Sequence, residues 1–406
     1  MRIGIYGGSF DPFHNGHQAM VRSALASGYV DCVIAVPSVR NSFKRYTAVL
    51  AAPYRYYMTL HAAEKSGLEG FYVSDVEFGI EGVSYTAVML SMLTDPVYIS
   101  RFLQNNGVSC KAASEKHSYY WIMGSDTLAT FEHWYRPETI LKYVTLLAAV
   151  RPGDDTDIVR ASDSVTGNFG GEVEFFRLDG VNCSSSAINS TGDFACCPDA
   201  VREFIDIHSL YTDNTKLANC SEIAREQFFD NAVKLYPELK EKRLLHTLNV
   251  GILSAHLAGV YGADADKALI AGQLHDCVKE KDIEEQRRLA ESYSGDLFAD
   301  KKLLHSPGGA TYARDHYGVS DCGILDAICY HTTGRGNMTL LEKIVYLADK
   351  IEPSRTYTDL SDIRKAAETD LDEAMRMTSA CVVAKFRKQG RELHPLTGDM
   401  MRDLGL

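Results

Sequence analysis

The 406-residue chain has no Cys-x-x-Cys pair among its ten cysteines; only Cys196 and Cys197 are adjacent. That scatter suggests neither a zinc ribbon nor a disulfide framework, and points to reduced thiols in a cytoplasmic setting. A basic surplus is missing too. With 42 Lys and Arg against 54 Asp and Glu, the formal net charge is -12, without the positive face that nucleic-acid phosphates require. Met1 runs directly into a strand-like segment, so no basic-then-apolar leader is expected, nor any apolar run of membrane-spanning length. What is present, 45% hydrophobic and 24% charged residues, is the balance of a globular protein, and the chain is too long for one ordinary core. The expectation is a cytoplasmic protein of two domains that engages neither membrane nor nucleic acid. Association into a homo-oligomer is left open.

The first half is organised around Gly7-Gly8-Ser9-Phe10-Asp11-Pro12-Phe13-His14-Asn15-Gly16-His17. Arg2 to Tyr6 before it reads as a short buried strand, and Gly16 to Ser27 after it has helical apolar spacing. The glycines let the backbone approach a ligand closely, and His14 and His17, three apart at a helix start, share one face. N–H groups at a helix N-terminus favour anions, and paired imidazoles donate to a phosphate whose charge grows in a transition state. Further strands are expected at Cys32–Val36, Phe71–Val73, Trp121–Met123, Val144–Val150 and Val173–Phe176, with helices at Pro53–Ser66 and Ser84–Leu93. This alternation predicts an α/β doubly wound parallel sheet of Rossmann-like type, with ligands at the carboxyl ends of its strands. Pro96 to Ser118 reads as an enlarged surface connection.

Gly7 to His17 resembles the signature of the nucleotidyltransferase superfamily with a histidine-x-glycine-histidine motif. Ser84-Tyr85-Thr86, Gly124-Ser125-Asp126, Trp134-Tyr135, Arg151-Pro152-Gly153 and Ser184-Ser185-Ser186-Ala187-Ile188 follow in the order seen in bacterial nicotinate mononucleotide adenylyltransferases. The resemblance covers residues 1–212. It implies transfer of AMP from ATP, accompanied by Mg²⁺, to nicotinate mononucleotide, with pyrophosphate released. It implies His14 and His17 as the catalytic pair on the ATP phosphates, Asp126 on the adenosine side and Trp134 stacked on the pyridine ring. Ser84, Tyr85 and Thr86 would meet the nicotinate carboxylate, and Gly8, Ser9, Phe10, Lys44, Gly124, Arg151 and Ser185 would complete the nucleotide site. Two positions depart from the pattern: Phe43 precedes Lys44 where the family carries histidine, and Asn189 stands where it carries arginine. Both remove a donor or charge directed at phosphate, and Asn lacks the bidentate fork of a guanidinium.

Thr212 to Asn219 reads as a linker, and residues 220–406 as an all-α domain, since Ser221–Leu235, Leu239–Tyr261, Ala265–Lys279 and Thr339–Ile351 all have 3.6-residue apolar spacing. Its chemistry lies in polar residues set in apolar helices: His246, His275-Asp276 and Asp349. A buried imidazole or carboxylate must be paired or bind metal. The order His, His-Asp, Asp resembles the HD superfamily of metal-dependent phosphohydrolases. His305 and His331 bring the ligands to six, which implies a pair of metals. Lys279, placed beyond Asp276 on a helix expected to continue, is the first candidate cation for a substrate phosphate, and Arg355, just past Ile351 to Ser354, is a second with a weaker case.

The wording His275-Asp276-x-x-Lys279-Glu280, His331-Thr332-Thr333-Gly334 and Leu347 to Arg355 is similar to the bacterial symmetrical diadenosine tetraphosphate hydrolases. That resemblance implies a dinuclear site, iron first with manganese, cobalt or nickel as alternatives, and cleavage to two ADP. Two other readings stay open. The HD half could act on another phosphate ester, or one half could be a nucleotide-binding regulatory module.

Overall fold

The computed structural model describes residues 1–40, 50–151, 157–180, 183–294, 300–356, 359–390 and 392–406. The chain divides into two compact units, Met1–Asp206 and Ile207–Leu406.

The first unit is built on six parallel strands: β1 (Arg2–Gly8), β2 (Cys32–Pro37), β3 (Phe71–Val73), β4 (Ser118–Gly124), β5 (Thr145–Val150) and β6 (Val173–Arg177), in the order β3-β2-β1-β4-β5-β6. All six residues of β2 are buried, as expected of a strand covered on both faces. β1 pairs with both β2 and β4, with Ile5 opposite Ile34 on one side and Trp121 on the other. The order therefore reverses beside β1, and the crevice at its carboxyl end is where a doubly wound sheet takes its ligand. Gly8, the last residue of β1, lies opposite Pro37.

Residues 96–118, expected as a surface connection, are instead largely helical. Asp95 accepts the N–H groups of Val97 and Tyr98 and starts the helix Pro96–Asn105, which buries Ile99 and Leu103 in the core of the first unit. A short helix, Cys110–Ala113, precedes β4.

The second unit is helical throughout its described residues. Residues 207–219 belong to it, with Leu217 buried. Its central helix, Glu241–Tyr261, corrects the expectation that no segment reaches membrane-spanning length: its 21 residues are long and apolar enough, and 72% of the apolar window is buried inside the protein. Close packing of this helix on Ala265–Leu274 rests on glycine. A Cβ at Gly272 would lie 2.8 Å from the Val250 carbonyl oxygen and 2.9 Å from the Gly251 Cα, so the two backbones touch. That contact brings His246 on one helix towards His275 at the end of the other. The helix Leu340–Ile351 carries Asp349 and begins in a capping box between Thr339 and Glu342.

Candidate active sites

In the first unit the turn after β1 enters the helix Asn15–Ala26 through its two histidines. His17 N–H donates to His14 Nδ1 at 3.3 Å, and His14 N–H donates to His17 Nδ1 at 3.2 Å. The rings stack with centroids 3.6 Å apart and planes 14° from parallel. Because each Nδ1 accepts a backbone proton, each neutral ring carries its own proton on Nε2. Burial lowers both histidines, His14 to about 4, and the Arg151 guanidinium pushes His14 the same way. Two uncharged Nε2–H donors therefore sit at a helix N-terminus, an arrangement suited to an anion.

The loop holding them is pinned from several sides. Phe10, buried with φ 47°, sets its ring edge-on to His17 at 5.0 Å. A Cβ at Gly8 would meet that ring at 2.8 Å. The Ser9 carbonyl accepts from the buried Arg55 at 2.6 Å. Ser185 Oγ donates to the Pro12 carbonyl at 3.1 Å and Asn189 Nδ2 to that of Asp11 at 3.0 Å. Asn189 thus ties the helix Ser185–Thr191 to the signature turn. Cys183 and Cys196 flank that helix and lie side by side, with Cα atoms 6.3 Å apart. The fold returns the two flanks to one place, and no spacing rule could announce that.

The other expected residues of this unit have the following surroundings. Gly124 ends β4, and a Cβ there would collide with the Asp126 carboxylate, whose Oδ1 accepts the Thr127 N–H at 2.9 Å. Trp134 packs edge-on to Trp121 at 6.1 Å and against Phe131 at 5.5 Å. Tyr85 stacks on the exposed Tyr135 at 4.1 Å. Ser84 is buried, and Thr86 begins the helix Thr86–Leu93. Phe43 and Lys44 lie outside the described residues.

In the second unit the six expected ligands converge. His246 Nε2 lies 3.0 Å and His275 Nε2 3.5 Å from Asp349 Oδ1. His305 Nε2 lies 3.4 Å and His331 Nε2 3.5 Å from Asp276 Oδ1. The ligand atoms form three overlapping groups, each spanning no more than 4.8 Å, and every member is buried. Backbone carbonyls fix two of the rings: His275 Nδ1 donates to Gly272 at 2.6 Å and His331 Nδ1 to Ile328 at 2.7 Å. Both then aim an Nε2 lone pair inward.

Burial lowers His275 to about 4 and carries His305 well below its ordinary value. Burial pushes the Asp276 and Asp349 carboxyls up. The imidazoles outweigh it at Asp276, and Lys350 with His246 at Asp349, so both end well below the usual range. Neutral imidazole with ionised carboxylate is the state that binds a divalent metal. His275 Nε2 and Asp276 Oδ1 are buried without a hydrogen-bond partner among the described residues. Such orphaned donors of electron pairs fit a metal.

Lys279 reaches this centre by a different route from the one expected. The helix ends at Leu274, and the chain turns through His275 to Glu280. Even so, Lys279 Nζ lies 2.8 Å from His305 Nε2. Arg355, the second candidate cation, lies on Asp349 at 2.8 Å. Sequence reading missed two further cations on the carboxylates: Lys350 on Asp349 at 2.6 Å and Arg243 on Asp276. It also missed Glu352, whose Oε1 accepts from His246 Nδ1. His256 pairs with Glu368, and His316 stacks on Tyr312, both away from the cluster.

Residues 5–190 match the cytidylyltransferase-like family and residues 243–354 the HD domain family. The symmetrical bis(5'-nucleosyl)-tetraphosphatase of Halalkalibacterium halodurans is 41% identical over 164 residues, 40% of this chain and 88% of that protein. A probable nicotinate-nucleotide adenylyltransferase of Rhodopirellula baltica is 32% identical over 164 residues, 40% of this chain and 68% of that protein. The chain belongs to both families. Its first half joins the adenylyltransferase family and its second the tetraphosphatase family. A probable nicotinate-nucleotide adenylyltransferase/Ap4A hydrolase of Mycoplasma genitalium spans both, 26% identical over 388 residues, 93% of this chain and 96% of that protein.

Proposed function

We propose that the chain is a bifunctional cytoplasmic enzyme of adenine nucleotides. Residues 1–212 transfer the adenylyl group of ATP, held with Mg²⁺, to nicotinate mononucleotide and release pyrophosphate. Residues 220–406 cut diadenosine tetraphosphate at its central bridge to give two ADP, at a pair of divalent metals for which iron is the first candidate. The observation that carries this reading is the six-residue His/Asp cluster, within a half 41% identical to a symmetrical tetraphosphatase.

In the first reaction His14 and His17 donate their Nε2 protons to phosphate oxygens as the α-phosphorus passes from pyrophosphate to the acceptor phosphate, with no protein nucleophile. Ser185 and Asn189 hold the turn that aims them. In the second, His246, His275, Asp276, His305, His331 and Asp349 are the metal ligands. Bound there, a metal pair supplies hydroxide at neutral pH and positive charge for the attacked phosphate. Water adds to one inner phosphorus, the bridging P–O bond breaks, and the other ADP leaves with the bridge oxygen. Lys279, Lys350 and Arg355 surround that position with positive charge.

Metal analysis of anaerobically purified protein, followed by chromatography of the products from diadenosine tetraphosphate, tests the second assignment. About two metals per chain and ADP as sole product are expected; AMP with ATP would overturn symmetrical cleavage. Pyrophosphate release from ATP that depends on nicotinate mononucleotide tests the first. ATP binding without release would instead mark that half as a regulatory module.

A further inference from the structure

A pocket of about 1010 Å³ opens beside the metal cluster. At one end it is lined by Thr332, Asp349, Lys350 and Arg355, and its wall is the helix Leu371–Lys388. Thr378, Cys381, Val382, Lys385 and Lys388 face it, spaced i, i+3, i+4, i+7 and i+10, which is one continuous stripe of an α-helix. Ten residues at 1.5 Å each carry this stripe roughly 15 Å from the buried end outward, the scale of one extended nucleotide.

The chemistry along the stripe changes in a telling order. Near the cluster the cations are occupied: Lys350 and Arg355 both hold Asp349. At the far end Lys385 and Lys388 line the pocket, and neither ammonium pairs with another described residue. Between them in sequence is Phe386, a half-buried ring on the same lining. Lysines without partners beside an aromatic face are what nucleotide-binding grooves use, ammonium for phosphate and ring for base. Asp300 and Glu392 share the lining. Carboxylates suit a ligand with hydroxyls as well as phosphates, as a ribose has.

Resting on the symmetrical-hydrolase reading, we propose that Lys385, Phe386 and Lys388 form the subsite for one nucleoside-diphosphate half of the substrate. The ring stacks on the adenine at the outer end of the groove, and the two ammonium groups, each on a flexible four-carbon stem, reach back along it to the outer phosphate. Symmetrical cleavage requires the scissile bridge to stop at the cluster with two phosphates on either side. A fixed wall that anchors one half at its far end measures that distance, so the subsite sets the number of phosphates accepted.

The test uses the full-length protein and direct binding of etheno-ADP, followed by its fluorescence, beside hydrolysis of diadenosine tetraphosphate and diadenosine triphosphate. Phe386→Ala and the double variant Lys385→Ala/Lys388→Ala should each weaken etheno-ADP by roughly tenfold. Phe386→Tyr should keep wild-type affinity, and metal content should be unchanged in all three. The double variant should also narrow the preference for the tetraphosphate over the triphosphate. Etheno-ADP affinities within about twofold of wild type, in a protein that still cleaves the tetraphosphate, would overturn the subsite and leave the hydrolase reading standing. Wild type that binds etheno-ADP through these residues without cleaving the tetraphosphate would support the subsite and overturn that reading.

Discussion

Glu352 Oε1 lies 3.1 Å from His246 Nδ1, on the opposite side of the imidazole from Asp349, whose Oδ1 lies 3.0 Å from Nε2. The Glu352 carboxylate is buried and fully engaged, accepting also from Ser354 N–H at 2.8 Å, Ser354 Oγ at 2.7 Å and Asn249 Nδ2 at 2.9 Å. Burial pushes it up, but these partners, His246 first, outweigh burial and bring it to about 2. It therefore stays ionised and keeps the His246 proton on Nδ1, leaving Nε2 free to ligate. Glu352→Gln keeps the volume and removes the charge. Metal affinity should fall by about 10–100-fold, read as the chelator concentration that strips half the metal. An unchanged chelator midpoint would show that Glu352 does not orient His246.

The stacked pair in the first unit makes a different prediction. Both rings are neutral and present Nε2–H, so replacing one removes a donor without altering net charge. His17→Ala should slow pyrophosphate release by about 10²–10³-fold. Because burial holds His14 near 4, its ring resonances should show no titration between about pH 6 and pH 8 in the ligand-free protein. A His14 midpoint near 6.5 would mean the ring is solvated and the neutral-donor account is wrong.

Much of this was legible in the sequence, for identifiable reasons. Cys32 to Val36 is an uninterrupted apolar run, and it forms β2, Cys32–Pro37. Phe71 to Val73 is β3 to the residue. Four polar residues set in apolar helices, His246, His275, Asp276 and Asp349, stood out because burial without a partner is unfavourable; the resemblance added His305 and His331, and all six meet. Three things were hidden. The helix Pro96–Asn105 buries Ile99 and Leu103 and packs Tyr98 and Phe102 on the core, but the proline at its start and Asn105-Asn106-Gly107 at its end read as loop signals. The helix expected to run through Lys279 stops at Leu274, where His275 turns its Nδ1 back onto Gly272. Glu352 and His246 are 106 residues apart. Local periodicity carries no record of a partner brought in by the packing of two helices.

Lys279 separates substrate binding from metal binding. Its ammonium sits against His305, 2.8 Å from Nε2, and burial lowers its pKa while Asp276 resists. Under the proposed function His305 would use Nε2 for metal, and Lys279 would give up that contact and turn its ammonium to the substrate phosphate. Lys279→Met should lower kcat/KM for diadenosine tetraphosphate by about 10²-fold with metal content retained. His305→Ala should lose metal as well as activity. Loss of metal in Lys279→Met would assign the lysine to the scaffold.

Glu77 gives the first unit a pH dependence that can be isolated. Its carboxyl is 7% exposed, and Oε2 accepts the Val39 N–H at 2.7 Å. Burial raises it to about 7 from the ordinary 4.5, although the Val39 N–H and Arg55 pull it down. The folded unit thus holds this proton more tightly than the unfolded chain. The stability contributed is full below 4.5 and is lost as pH rises through about 7. His14 and His17 act in the opposite sense: their folded values lie below 6.5, so their contribution is lost as pH falls. The difference between wild type and Glu77→Gln cancels the histidines. Both tryptophans, Trp121 and Trp134, lie in Met1–Asp206, so their fluorescence in urea reports this unit alone. The variant should gain on wild type from about pH 5 to about pH 7 and level off by about pH 8, because only wild type must ionise a buried carboxyl. A difference that stays constant across that range would place the Glu77 titration outside it and remove burial as the dominant influence on this residue.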